Sequence, residues 1–153
     1  MLNYLDTRSK ILLSIDNNIV ISDDNISSYP IILICDNDYL KLNNKEVSIL
    51  GNHLKQGGLL ILDNVISDYT FSIFLDKILP QSNTESFSLD TLFSDNPFNI
   101  NFDEVELDLE AIFINKKLSV LGIKKTSLIN YWQEENEEFF KIGSSIIFYN
   151  LTR

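Results

Sequence analysis

With 153 residues, 44% of them hydrophobic and 22% charged, the chain has the size and composition of one packed domain over 1–153, and disordered or fibrous classes are excluded. A formal net charge of −10 leaves no broad basic surface for nucleic acid or an anionic bilayer, and a single Cys with a single His excludes a disulfide scaffold and structural zinc. No basic leader opens the chain and no run nears the roughly 20 apolar residues that span a bilayer, so a cytoplasmic protein without direct membrane insertion is expected.

Ile11 to Ile15 and Asn18 to Ile21 are short apolar segments parted by Asp16-Asn17-Asn18, the pattern of a hairpin or of two successive strands. After a polar loop, Pro30 to Cys35 is a continuous, mostly β-branched run that stops at Asp36-Asn37-Asp38, which predicts a central parallel strand covered on both faces. Asn43 with Glu46 three residues on is a capping box, and Val47, Leu50 and Leu54 share one face before Gly57, so a helix from about Asn44 to Gln56 follows. Gly58 to Leu62 is then a second buried strand, and the succession makes a right-handed βαβ unit.

Ser67 or Asp68 caps a second helix whose Phe71, Phe74, Leu75, Ile78 and Leu79 fall on one face and which ends before Pro80. Gln81 to Asn101 is rich in Ser, Asn and Asp and reads as a long loop with one helical turn, a lid or contact surface. Val105, Leu107 and Leu109 alternate with acidic residues as in an edge strand. Ala111 to Ile114 and Leu118 to Ile123 flank Asn115-Lys116-Lys117 as an antiparallel hairpin. Glu134 to Tyr149 closes the chain as a helix, with Glu134, Glu135, Glu137 and Glu138 at its positive end and Phe139, Ile142, Gly143 and Ile146 on one face.

Ser28-Tyr29-Pro30-Ile31-Ile32, Gly57-Gly58-Leu59-Leu60-Ile61-Leu62-Asp63, Phe71 and Ile142-Gly143-Ser144-Ser145-Ile146-Ile147 together resemble an uncharacterised bacterial family, the domain of unknown function family forty-one fifty-nine. The resemblance runs from about Thr7 to Thr152. It implies a branch of the class I glutamine amidotransferase-like superfamily, hence a flavodoxin-like three-layer α/β/α sandwich with a mostly parallel sheet and an antiparallel hairpin near the C-terminal half. The chain departs from the family pattern in three places. Asp90-Thr91-Leu92-Phe93 stands where the family tends to place a His, and Lys124 to Asn130 precedes Trp132 where it tends to place an Asp. The family's opening strand and helix also lack a counterpart, since Met1 enters close to the second strand.

In an open parallel sheet, ligands bind beyond the carboxyl ends of the strands. Asp36, Asn37 and Asp38 follow one such strand and Asp63 and Asn64 the next, so these side chains are expected to gather at one end. Asp36, Asp38, Asp63 and Asn64 form the candidate ligand or cation crevice, although Asp and Asn also favour turns and caps for purely local reasons. No cofactor is expected, and a divalent cation is the one such group the crevice would suit. Cys35 is preceded by Ile34 and followed by Asp36, which is not a nucleophile elbow, and reads as an inert buried strand residue. His53 lies about 13 Å along the helix at ~1.5 Å per residue, toward the opposite end of the sheet, which argues against a dyad with Cys35 and makes it a solvated helix residue. No Gly-x-Gly-x-x-Gly and no P-loop occurs. Tyr131 and Trp132 are either core packing or an interface anchor.

Two functions are open on these grounds. One is a non-catalytic amidotransferase-like binding or assembly module with a protein partner, no nucleic acid, an acidic surface and the 81–101 loop. The other is a metal-assisted hydrolase using Asp36, Asp38 and Asp63.

Overall fold

The computed structural model describes residues 16, 19–22, 25–36, 38–80, 84–87, 93, 98–100, 105 and 107–152. The expected strand Ile11 to Ile15, residues 17 and 18 of the expected turn and most of the 81–101 loop lie outside them. Strands β1 (Ile31–Cys35), β2 (Leu59–Val65), β3 (Thr84–Phe87), β4 (Asp108–Ile114) and β5 (Lys117–Lys124) form one open sheet in the order β1-β2-β5-β4-β3. β1, β2 and β5 are parallel neighbours, and β5-β4 and β4-β3 pair antiparallel. The helices are α1 (Asn44–Lys55), α2 (Asp68–Ile78), α3 (Leu128–Gln133) and α4 (Glu137–Thr152). The fold is mixed α/β.

β1, α1 and β2 form the predicted βαβ unit. The capping box is complete: Asn43 Oδ1 accepts from the Lys45 and Glu46 amides at 2.9 and 3.0 Å, and the Asn43 amide donates to Glu46 Oε2 at 2.8 Å. Gly57 at φ 98 makes the turn into β2, a conformation that other residues adopt only with strain. Ser67, not Asp68, caps α2 through its contact with the Thr70 amide. The β4–β5 hairpin turns on Asn115 and Lys116, both at positive φ, as a two-residue turn between twisted strands requires.

Side-chain alternation along β2 sorts the core into two clusters on opposite faces of the sheet. Leu60 and Leu62 pack with Val47, Leu50 and Leu54 of α1 and with Phe71, Phe74 and Ile78 of α2. Leu59 and Ile61 pack with Leu128 of α3 and with Phe139, Ile142 and Ile146 of α4. Asp63, the next odd position, therefore points toward α3. Asn64 at φ 62 shifts the β2–β5 register between Leu62 and Val65, and Val65 returns to the α1–α2 side.

Four expectations need correction. β1 is not central among the described residues, because only β2 pairs with it; Ile32 and Ile34 pack inward while Leu33 is 36% exposed. The alternating 105–109 segment is not an edge strand: β4 starts at Asp108 and lies between β5 and β3, a strand that falls inside the expected loop. The Ile19, Val20 and Ile21 segment carries no strand. The final helix starts three residues later than expected, at Glu137, after a separate short helix, α3. Glu135 at φ 58 breaks the backbone, and Asn136 Oδ1 then accepts from the Glu138 and Phe139 amides to start α4, so Glu137 and Glu138 occupy its positive end and Glu134 and Glu135 do not.

Candidate functional site

The carboxyl ends of β1, β2 and β5 are built from residues in an uncommon backbone conformation: Asp36 at φ 51, Asn64 at φ 62 and Lys125 at φ 62. Asn64 Nδ2 donates to Asp36 Oδ1 at 3.0 Å and ties the two strand ends together, as expected from the Cys35–Asp63 register. The chain after β1 forms a 3-10 turn, Asp38–Lys41, anchored by Tyr39. The Tyr39 ring is 1% exposed and meets Phe74 edge to face at 5.1 Å, with its hydroxyl 3.3 Å from Thr70 Oγ1. Asp38 is left at the surface, paired with Lys41 at 2.6 Å.

Asp63 has a different environment. It is 1% exposed, and both carboxylate oxygens are engaged: Oδ1 accepts from the Leu128 amide at 2.8 Å, and Oδ2 from Ser127 Oγ at 2.6 Å and the Ile129 amide at 3.4 Å. A strand-end carboxylate thus caps the first turn of α3, where orphan N–H groups and the helix dipole favour an anion. Ser127 completes the cap by accepting from the Asn130 amide at 3.2 Å. The structure brings Asp36 and Asn64 together, turns Asp63 inward and leaves Asp38 on an exposed turn. Among the described residues no group of three or more His, Cys, Asp or Glu side chains is placed to hold a metal ion.

The family model described as Domain of unknown function (DUF4159) matches residues 1–151. The chain belongs to that family. No curated protein matches the sequence.

Around the strand ends of this family domain, charge is arranged in pairs. Lys124 bridges Asp68 at 2.5 Å and Glu110 at 2.7 Å, and its ammonium lies 5.9 Å from the centre of the Phe71 ring. Burial pushes the Lys124 pKa down, but the hydrogen bonds to Asp68 and Glu110 outweigh it and leave the group above its ordinary value. Lys125 pairs with Asp108 at 2.8 Å.

Cys35 is exposed, which overturns its expected burial: the odd-numbered face of β1 has no described helix over the thiol. Desolvation, and then the negative charges of Asp63, Asp36 and Asp38, push its pKa up. The inert thiol is now expected on electrostatic grounds, since only the thiolate attacks. Native protein at neutral pH should be alkylated by iodoacetamide more slowly than free cysteine, and Asp36→Asn should speed the reaction. A rate above that of free cysteine would contradict this.

His53 is also corrected, from solvated to 6% exposed; its Nε2 has no hydrogen-bond partner among the described residues, and burial pushes its pKa below the ordinary imidazole value. It packs against Gly58 at the amino end of β2, away from Cys35. Tyr131 and Trp132 join α3 to α4: the Tyr131 ring stacks on Phe139 at 3.8 Å, and Trp132 Nε1 donates to the Phe139 carbonyl at 2.8 Å. Sequence reasoning missed Ser127, Leu128 and Tyr39. The signal for the first two was a Ser three residues past the end of a strand, with Asn130 three residues further on.

Proposed function

We propose that this domain is a non-catalytic amidotransferase-like binding module in the cytoplasm, built as a flavodoxin-like three-layer α/β/α sandwich, that docks on a protein partner through the carboxyl end of its parallel strands. The sandwich is supported by the two core clusters, one with α1 and α2 and the other with α3 and α4.

The observation that carries the non-catalytic reading is Asp63. Its carboxylate, the one expected to do chemistry at the β2 end, is sealed from solvent and spends both oxygens on the start of α3. A general base or metal ligand needs a lone pair directed at substrate or ion, and at 1% exposure this carboxylate presents none to the solvent side of the strand ends. The thiol and the imidazole are equally unsuited, with acids around Cys35 and His53 buried at the other end.

Docking is supported by the surface beside the strand ends. Ile66 is 64% and Tyr69 75% exposed, and Ile73 continues the same face of α2 at i+4 from Tyr69. Asp36 and Asp38 stand exposed at the neighbouring strand end, so a partner with Lys or Arg around an apolar centre has the complementary chemistry. The edges of Tyr131 and Trp132, half-buried on α3, extend the candidate interface.

Two measurements test the reading. A photo-crosslinking residue at position 69 should capture a protein in cells, and one at position 45, on exposed α1 surface, should not; equal capture at both positions counts against docking. Mg²⁺, Mn²⁺ and Ca²⁺ should leave the melting temperature unchanged, because a ligand of the folded state raises it. A saturable rise that Asp36→Asn abolishes would replace this reading with the metal-assisted hydrolase.

A further inference from the structure

The lysines of this acidic chain are not evenly neutralised. Lys41, Lys124, Lys125 and Lys141 each meet a carboxylate within 4.0 Å, whereas Lys45, Lys55, Lys77, Lys116 and Lys117 make no ion pair among the described residues. Of these five, Lys55 and Lys77 line one cleft of about 310 Å³ between α1 and the end of α2. α1 runs from the carboxyl end of β1 to the amino end of β2, and α2 returns from the carboxyl end of β2. Both lysines, in the last turns of their helices, therefore lie toward the amino end of the sheet, opposite the acidic strand ends.

A cation in the last turn suits the helix dipole, which accounts for one lysine on each helix taken alone. It does not account for what lies between them. Asn44, Ser48 and Asn52 recur at intervals of four along α1 and line the cleft as a ridge of neutral polar groups leading to Lys55. Val47 and Ile78 supply an apolar floor. The chain has 22 acidic residues, yet among the described residues no Asp or Glu lines this cleft, and its two charged lining groups are both cationic.

We infer that the α1–α2 cleft binds a small phosphate-bearing anion, with Lys55 and Lys77 neutralising its charge and Ser48 and Asn52 donating hydrogen bonds. Two separate ammonium groups act as point charges and suit a phosphoryl dianion, whereas a lone carboxylate is better met by the planar fork of an arginine, and none is among the described lining residues. The volume is at the lower end of small-molecule sites, roughly 300–1,000 Å³, so the ligand is the size of a short phosphate ester. The N-terminus of α1 is not the anchor: Asn43 already takes the Lys45 and Glu46 amides. The cleft is separate from the proposed partner face, and either can fail without the other.

Titration calorimetry with inorganic phosphate, pyrophosphate and glycerol 3-phosphate is the test. At least one should bind with a dissociation constant below about 1 mM. The double variant Lys55→Gln/Lys77→Gln, whose residues are exposed and whose melting temperature should match the parent, should weaken that binding about tenfold or more. Lys45→Gln, an exposed change on α1 outside the cleft, should not. The inference is overturned if none of the three probes binds, or if Lys45→Gln weakens binding as much as the double variant does.

Discussion

Asp63→Ala should cost this domain roughly 3–5 kcal/mol, the largest loss expected from any single polar change described above. The substitution removes an acceptor from three donors at once, Ser127 Oγ and the Leu128 and Ile129 amides, in a place with 1% exposure where water does not replace it. A buried unsatisfied donor costs about 1–3 kcal/mol, and a hydrogen bond to a charged acceptor contributes about 1.5–3 kcal/mol, so the two short bonds alone reach the stated range. Asp63→Asn should recover part of the loss, since an amide oxygen can still accept from Leu128 while its nitrogen faces donors. Urea unfolding followed by circular dichroism and by Trp132 fluorescence measures both the size and the place of the effect, because Trp132 sits on the helix that Asp63 starts. Asp36→Ala, at an exposed position, should cost about 0.5 kcal/mol or less. If Asp63→Ala lost under about 1 kcal/mol, its carboxylate would be free for other work and the non-catalytic reading would lose its main support.

That carboxylate also shows where the sequence was legible. Its place near the carboxyl end of β2 followed from an apolar run ending in Asp63-Asn64, and the β1–α1–β2 unit from periodicity and a capping box, all local patterns with a stereochemical cause. Its role did not follow. Ser127 and Leu128 lie 64 and 65 residues away, and only the β2–β5 pairing brings them to Asp63. α3 was missed because six residues hold too few turns for a hydrophobic period. The four glutamates then read as one helix start, although Glu135 at φ 58 divides them, a conformation that composition does not announce. For Cys35 the error ran the other way: β-branched neighbours signalled burial on both faces, and the strand has a described partner on only one side. His53 was assigned to water by residue type, whereas α1 buries an arc wide enough to include it.

Burial of His53 sets up the second large effect. Gly58→Ala should destabilise the domain by about 2–3 kcal/mol, in the range of overpacked cores. A Cβ on Gly58 would fall 1.9 Å from His53 Nε2 and 2.3 Å from Cδ2 and Cε1, and the ring, 6% exposed, can yield only by leaving its site. The cost is therefore a coupling between two residues, and His53→Ala should remove most of it: the double variant should be more stable than the sum of the single losses by about 1 kcal/mol or more. Acidity reports on the same contact. Burial pushes the His53 pKa down, so the folded state binds fewer protons than the unfolded chain. Its contribution to stability is complete above the unfolded imidazole value of about 6.5 and declines as pH falls below that toward the lowered folded value. His53→Ala should abolish this decline. Gly58→Ala should abolish it too, if the added methyl drives the imidazole into water, where its pKa returns to the ordinary value. A Gly58→Ala protein that kept both the parent stability and the parent slope between pH 7 and 5 would mean that the ring does not rest on Gly58, and the packing of the α1–β2 turn would have to be redrawn.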